Sequence, residues 1–195
     1  MKNTNKILIA IVLGVLAYSV IVYNNMISYR NNTQKYWSDV ENQYQRRVDL
    51  YKNLAKTVKG YAKHEKSTLE DVIKARASAT QMNIDISKAT PEQLSKFQQA
   101  QQSLKSDFLS RLLVTVEKYP ELKADKLFLE LQSQLEGTEN RITVARNRFN
   151  EKALLYKNYI ERIPGVIFAK IFNFKPIVFF KSEKGAEKAP DIDLN

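Results

Sequence analysis

The chain has 195 residues, no cysteine and a formal net charge of +10. The lack of cysteine excludes disulfide bonds, thiolate metal sites and lipoprotein acylation. Only five glycines and five prolines interrupt a sequence rich in Gln, Lys, Glu, Leu and Ala, which are good helix formers. We therefore predict an all-α protein with a single domain after its N-terminal segment.

An apolar segment near the N-terminus, Ile7–Tyr23, reads ILIAIVLGVLAYSVIVY. A helix of this length spans about 25 Å, at the short end of what a bilayer core requires, and Met26–Ile27 extends its apolar face. We predict a transmembrane anchor over residues 7–27, preceded by a short tail, residues 1–6. The chain is expected to cross a membrane once.

A cleaved signal peptide is the alternative, with Ala17 and Ser19 as the small residues before the cut. The apolar run continues past both residues, which favours a retained anchor. The side of the membrane on which the domain lies stays open under the positive-inside rule. Two basic residues flank the segment on each side: Lys2, Lys6, Arg30 and Lys35.

The first helix after the anchor carries apolar residues at intervals of seven, which predicts packing along one stripe. These residues are Trp37, Tyr44, Tyr51 and Val58, with Val40 and Leu54 at companion positions. Arg47 interrupts the row. Neither Gly nor Pro occurs between Gly14 and Gly60, so the helix is predicted to continue directly from the membrane and to end near Gly60.

A capping box at Ser67–Glu70 predicts the start of a second helix with Leu69, Val72 and Ile73 on its apolar face. A polar loop is expected over Asn83–Lys88. Thr90–Gln93 begins a third helix, because it offers a Thr cap, a proline at the first helical position and a returning Gln. This helix should end before Pro120 and bury Leu94, Phe97, Leu104, Phe108, Leu112 and Tyr119.

The last long helix has a heptad repeat formed by Phe128, Leu135, Ile142, Phe149, Tyr156 and Ile163. Pro164–Gly165 is expected to stop it. Four helices with short connections predict an up-and-down four-helix bundle over residues 28–165, with coiled-coil-like crossing of the long helices.

The segment 166–180 follows and holds five of the nine phenylalanines. Packing along a groove of the bundle is the favoured interpretation, because an exposed patch this apolar is rare on a monomer. The alternatives are insertion at the membrane interface, with nearby lysines at the lipid phosphates, and docking on another protein. The lysines concerned are Lys170, Lys175 and Lys181. The last residues, 181–195, are predicted to form a charged, flexible tail.

Two blocks of sequence resemble the LemA family. The first comprises Arg46–Leu50, Asn53–Leu54 and Thr57–Glu65, preceded by Trp37; the second comprises Tyr119–Ala124, Leu135–Ile142, Ala145–Arg146, Phe149–Asn150 and Phe174–Pro176. The resemblance implies a single-pass protein of the bacterial plasma (inner) membrane with a four-helix bundle and no assigned enzymatic activity. The chain departs from the family pattern at Tyr51–Lys52, where Ile-Pro is usual, and at Tyr156–Lys157, where Tyr-Asn is usual.

No residue is predicted to act in catalysis or to bind a cofactor or metal. His64 is the only histidine and has Lys63, Glu65 and Lys66 as neighbours, so a solvated histidine is the expected interpretation. The sequence contains no Gly-rich phosphate loop, no Gly-x-Ser-x-Gly and no paired-carboxylate motif. An enzyme with a small-molecule substrate is therefore not expected.

A polar cluster interrupts the seam of the last helix and could form ion pairs with the first helix. The residues are Thr138, Glu139, Asn140, Arg141 and Arg146 on the last helix, with Arg46, Arg47 and Asp49 on the first. A polar layer that fixes the register of the helices is the favoured interpretation. A patch that docks a partner is the alternative.

The part of the chain after the anchor carries a charge of +8, because Lys2 and Lys6 supply two of the ten. The basic residues are dispersed among acidic ones, so nucleic acid is not an expected partner. We expect contact with lipid through the N-terminal helix and with a membrane protein or a second copy of the chain. The function predicted first is a scaffold or adaptor; the alternative is a protein that organises membranes through anionic lipid.

Overall fold

The structure of the chain, a computed structural model, describes residues 2–58, 60–61, 69–74 and 84–181. Helix accounts for 85% of these residues and no strand occurs among them, which confirms the predicted all-α fold. The elements are α1 (Lys2–Val58), α2 (helical residues 69–74), α3 (Pro91–Lys118), a 3₁₀ helix (Pro120–Ala124), α4 (Lys126–Glu161) and α5 (Gly165–Ile171).

Helix α1 is unbroken over 57 residues, a length of about 85 Å. Its N-terminal part holds an 18-residue window of mean hydropathy 2.4, and among the described residues it is the one helix long and apolar enough to cross a membrane. Side chains from residue 3 to residue 21 are almost all exposed. The predicted continuity between the apolar segment and the first bundle helix is confirmed.

Contacts between aromatic rings show that α1 and α3 run in the same direction. The ring centres of Tyr44 and Phe97 are 5.3 Å apart, with one ring edge-on to the other. Further along α1, the ring of Tyr51 stacks on that of Phe108 with 4.0 Å between the ring centres. Residue numbers increase together along the two helices. A parallel pair of this kind is expected between the first and third helices of an up-and-down bundle.

Helix α4 runs antiparallel to α1 and lies closest to it among the described elements. The ring centres of Trp37 and Phe149 are 5.4 Å apart. Tyr29, nearer the apolar end of α1, has its ring centre 4.9 Å from that of Tyr159. The directions of α1, α3 and α4 are therefore those of the predicted bundle.

Buried apolar side chains form two cores along the bundle. The proximal core surrounds Trp37 and draws on α1, α3, α4, α5 and the segment after α5. The distal core joins the end of α1 to α2, α3, the 3₁₀ helix and the beginning of α4. The seam predicted on α1 is buried at every apolar position: Trp37, Val40, Tyr44, Tyr51, Leu54 and Val58.

Helix α3 begins as the sequence predicts. The hydroxyl of Thr90 accepts a hydrogen bond from the N–H of Gln93 at 3.2 Å, and the Gln93 side chain accepts one from the Thr90 N–H at 2.9 Å. Pro91 is its first residue, and the helix ends at Lys118. The predicted core residues Leu94, Phe97, Leu104, Phe108 and Leu112 are buried; Tyr119, at the C-cap, is half-buried.

Residues 69–74 are helical, and their side chains Leu69, Val72 and Ile73 are buried in the distal core. The cap proposed at Ser67 and the histidine at His64 lie outside the described residues. Residues 84–90 contain no helix, in agreement with the predicted loop.

Helix α4 buries the predicted Phe128, Leu135, Ile142, Phe149 and Tyr156. The prediction for Ile163 was wrong, because its side chain is 84% exposed. The helix ends at Glu161 and Arg162 is extended, two residues before Pro164, which cannot continue a helix. Ile160, one turn earlier on the same face, completes the core.

After α5 the chain turns back along the bundle. Asn173 has φ 56, the left-handed conformation that ends many helices, and the Phe174 N–H bonds the Ala169 carbonyl at 2.9 Å. The following residues, 174–181, form what we call the C-terminal strap. The turn directs the strap toward the proximal core.

The C-terminal strap is fastened by Phe180. Its ring stacks on that of Trp37 with 5.7 Å between the ring centres. Its backbone N–H donates to the Asn150 side-chain oxygen and its carbonyl accepts from the Asn150 side-chain nitrogen, each at 2.9 Å. The strap therefore packs on the bundle, as the favoured interpretation of the Phe-rich segment predicts.

Candidate functional site: the polar layer and the α3–α4 groove

A polar layer separates the two apolar cores. It consists of Arg47 on α1, Gln101 and Lys105 on α3, and Thr138 and Glu139 on α4. Arg47, Gln101 and Thr138 lie on helix faces that are apolar one turn before and after them. The layer therefore interrupts the core at one level across three helices.

Arg47 is the centre of the layer, with a side chain only 3% exposed. One terminal nitrogen donates to the Gln101 carbonyl at 3.1 Å and also to the Gln101 side-chain oxygen. The other lies 3.4 Å from the Glu139 carboxylate. The guanidinium also lies 5.0 Å from the centre of the Tyr44 ring. The carboxylate, the hydrogen bonds and the ring compensate part of the loss of hydration of this buried arginine, whose Nε has no hydrogen-bond partner among the described residues.

Glu139 links α4 to both neighbouring helices. Its second oxygen accepts a hydrogen bond from the Lys105 ammonium at 2.9 Å, while the first faces Arg47. The carboxylate thus balances two cations, one buried and one half-exposed. Since an alternative register would leave the buried cation unpaired, this layer selects the observed alignment of the helices.

The predicted ion pair between the first and last helices is therefore present for Arg47 and Glu139. Arg46 is exposed, and Asp49 bonds Lys52 and Gln45 on its own helix. The remaining predicted members on α4 do not join α1. Thr138 is buried, and its hydroxyl donates a hydrogen bond to the Gln134 carbonyl. Asn140 and Arg141 are exposed, and Arg146 contacts the C-terminal strap.

The sequence reasoning missed Gln101 and Lys105, because it paired only the first and last helices. A signal was present: Gln101 follows Phe97 by four residues and precedes Leu104 by three, so it lies on the buried stripe of α3. A polar residue on such a stripe indicates a buried polar layer.

A groove of about 860 Å³ opens beside the layer, between α3 and α4, and the C-terminal strap forms one wall. Arg47, Lys105 and Glu139 lie in it. Five basic and two acidic side chains line it, together with four glutamines, so its field favours a negatively charged group. The strap is held across the groove by Gln98 and Arg146, which both donate to the Lys181 carbonyl.

The Tyr51 hydroxyl lies close enough to the layer to feel the charges of Arg47 and Glu139. Burial raises the pKa of the Tyr51 hydroxyl well above its usual range, so this group stays protonated at neutral pH. Its oxygen has no hydrogen-bond partner among the described residues. In the same residues no group of three or more His, Asp or Glu side chains could hold a metal ion.

The model of the LemA family matches residues 36–194. The chain belongs to the LemA family. Two relatives are the magnetosome proteins MamQ 1 and MamQ 2 of Paramagnetospirillum magneticum, each 27% identical over 93% of this chain and 72% of the relative. A third is magnetosome protein MamQ of Magnetospirillum gryphiswaldense, 28% identical over 87% of this chain and 68% of the relative.

The apolar N-terminal helix indicates that this LemA-family chain is a membrane protein. The two blocks that carry the family resemblance contain the two ends of the interhelical ion pair, Arg47 and Glu139. At the two departures from the family pattern, Tyr51 and Tyr156 are buried core residues. At 156–157 the change therefore falls on Lys157 alone, whereas at 51–52 both the buried Tyr51 and the exposed Lys52 differ from the usual pair.

Proposed function

We propose that this chain is a non-enzymatic adaptor of the bacterial plasma (inner) membrane. It crosses the membrane once and presents its bundle to a membrane-protein partner. The observation that carries the proposal is the unbroken α1, which is both the anchor and a core helix of the bundle. Residues 29–58 alone reach about 45 Å from the apolar segment, so the bundle is held at a fixed height and angle.

The α3–α4 groove is the surface that we assign to the partner. Its excess of basic side chains suits an acidic segment, and its glutamines can bond the backbone of that segment. Ser95 and Gln102 lie on its α3 side and are exposed. They allow the groove to be probed without disturbing the core.

The test uses a photoreactive amino acid placed in living cells at Ser95 or at Gln102, one position at a time. We expect both positions to crosslink the same membrane protein. Arg148, which is exposed on α4 and does not line the groove, is the control position. Equal capture of that protein from the control position would contradict the proposal.

A charge change makes the test sharper. The double variant Ser95→Glu/Gln102→Glu adds two negative charges to the groove, whereas Arg148→Glu lowers the net charge by the same amount elsewhere. If the partner segment is acidic, the crosslink should weaken several-fold in the double variant alone, because like charges then face each other. An equal effect of both variants would indicate dependence on net charge only.

A second candidate function is the organisation of anionic membranes through the basic surface and the Phe-rich tail. Three exposed lysines along the C-terminal segment favour it: Lys170, Lys175 and Lys181. If it is right, the full chain should cluster or deform vesicles that contain phosphatidylglycerol. The effect should fade with added salt and disappear when the three lysines become glutamine. An adaptor requires no such lipid dependence.

A further inference from the structure

Helix α5 lies beside the apolar segment of α1. The ring of Phe168 is 6.3 Å from that of Tyr18, and the ring of Phe172 is 5.0 Å from that of Tyr23. Both tyrosines belong to the predicted anchor. The contact covers α1 on this side, so that Val22 is buried while most of its neighbours are exposed.

The height of α5 can be read from α1. Asn24 is the first polar residue after the apolar run, and each helical residue rises 1.5 Å, so Tyr18 lies about 9 Å deeper than Asn24. The part of α5 that touches Tyr18 is therefore on the hydrocarbon side of the polar boundary. Amphipathic helices at membrane surfaces typically reach about 5–10 Å below that boundary.

Helix α5 and the residues next to it expose several apolar side chains. Ile167 and Ile171, four residues apart on α5, are 54% and 66% exposed, and Ile163, just before α5, is 84% exposed. Phe172, at the end of α5, is 43% exposed. We call these four residues the apolar patch.

We propose that α5 is an interfacial helix whose apolar patch is immersed in the acyl chains of the leaflet that α1 enters from the bundle. The occupant of the patch is lipid because the patch is continuous with the anchor and lies at the same height. Exposed Lys170 borders the patch and can extend its ammonium to the head groups. The chain then contacts the bilayer through α1 and, beside it, through α5. The inference does not rest on the adaptor function.

The absence of cysteine allows a direct measurement on the full chain. Three variants, Ile167→Cys, Ile11→Cys and Leu113→Cys, each carry one spin label after reconstitution in phosphatidylcholine vesicles. The native side chains at these three positions are 54%, 60% and 61% exposed. Because the exposures are similar, a difference between the labels reports whether lipid or water surrounds each position. Collision rates with oxygen, which concentrates in hydrocarbon, and with a water-soluble nickel complex are then compared.

We expect the label at Ile167 to behave like the anchor label at Ile11, with an oxygen-to-nickel ratio several-fold above that of the bundle label at Leu113. A ratio equal to the one at Leu113 would show that α5 is in water and would overturn the proposal. Low collision rates with both reagents would show that protein covers the patch, which also overturns it.

Two further measurements complete the design. The fluorescence of Trp37, the only tryptophan, reports the proximal core and should be the same in all three variants. If Ile167→Cys alters it, Ile171→Cys takes its place. Because the patch is apolar, the result should be the same when phosphatidylglycerol is added; a label at Ile167 that leaves the aqueous phase only with anionic lipid would contradict immersion in the acyl chains.

Discussion

Arg47 shows how a single buried cation can align three helices. Its side chain reaches a carbonyl and a side chain on α3 and a carboxylate on α4, so each helix has a fixed position relative to the other two. Helices that pack only through apolar seams can shift by one heptad relative to each other and still bury apolar side chains. A buried charge that finds its partners at one level does not allow such a shift.

The variant Arg47→Met should lower the free energy of unfolding by about 2–3 kcal/mol, because Gln101 loses its donor at a buried site. The loss of stability is moderated because Glu139 still forms its ion pair with Lys105. Urea unfolding followed by circular dichroism in detergent measures it. The exposed neighbour variant Arg46→Met should change stability by less than about 0.5 kcal/mol. Equal effects of the two variants would rule out a structural role for the layer.

Gly165 allows α5 to approach α4 closely. A Cβ at this position would lie 2.0 Å from the Tyr159 carbonyl oxygen, which cannot move aside. We expect Gly165→Ala to destabilise the protein by about 1–3 kcal/mol through this overlap. Gly137→Ala, in the middle of α4, meets only the flexible end of Arg141 and should stabilise by about 0.5–1 kcal/mol. Urea unfolding should therefore give opposite signs for the two substitutions.

At the scale of elements, the beginning of α4 depends on an ionised cap. The Phe128 N–H donates to the Asp125 carboxylate at 2.8 Å and the Tyr61 hydroxyl donates to it at 2.7 Å. These bonds, that of Phe128 first, hold the pKa of Asp125 below its usual range.

The cap makes stability depend on pH in a defined direction. Since the pKa of Asp125 is lower in the folded state, its contribution is present above about pH 4 and is lost as the pH falls through the folded value. Asp125→Asn should flatten the decline in stability below pH 4, and Tyr61→Phe, which removes one donor, should flatten it less. Unfolding curves at a series of pH values test both; an unchanged profile in Asp125→Asn would contradict the assignment.

The C-terminal strap is an element without helix or strand, yet it completes the proximal core. Phe180→Ala should cost about 3 kcal/mol and shift the emission of Trp37, because it opens a cavity against that ring. Phe172→Ala, whose side chain lies in the apolar patch, should leave the emission unchanged. Fluorescence in detergent, followed by urea titration, gives both results. Identical spectra for the two variants would mean that the strap does not seal the core.

The sequence predicts correctly those features that depend on a pattern along a single helix. The seam of α1 and the cap at Thr90 need only neighbours along one helix, and both are confirmed. Ile163 was misplaced because the heptad was extended past Glu161, where the helix ends. The bonds from Asn150 to Phe180 join residues of α4 and the strap, and no periodicity encodes such a pairing.

At the scale of the whole molecule, the chain should place its two ends on opposite sides of one membrane. In cells that carry single-cysteine variants Asn3→Cys or Leu113→Cys, an impermeant thiol reagent added outside should label one variant and not the other. The labelled variant identifies the side of the bundle. If both were labelled, a single crossing would be wrong. A mature protein that lacks residue 3 would indicate a cleaved signal peptide.

The stacking of Trp37 on Phe180 joins residues separated by 143 positions along the chain. A ribosome adds about 5–20 residues per second, so roughly 7–29 s pass between the synthesis of the two rings. The apolar run of α1 leaves the ribosome before either of them. The seam of α1 is therefore made well before the ring that covers Trp37, and the proximal core can be completed only after the strap has been synthesised. Translation speed thus sets the earliest time at which the proximal core of this protein can be complete.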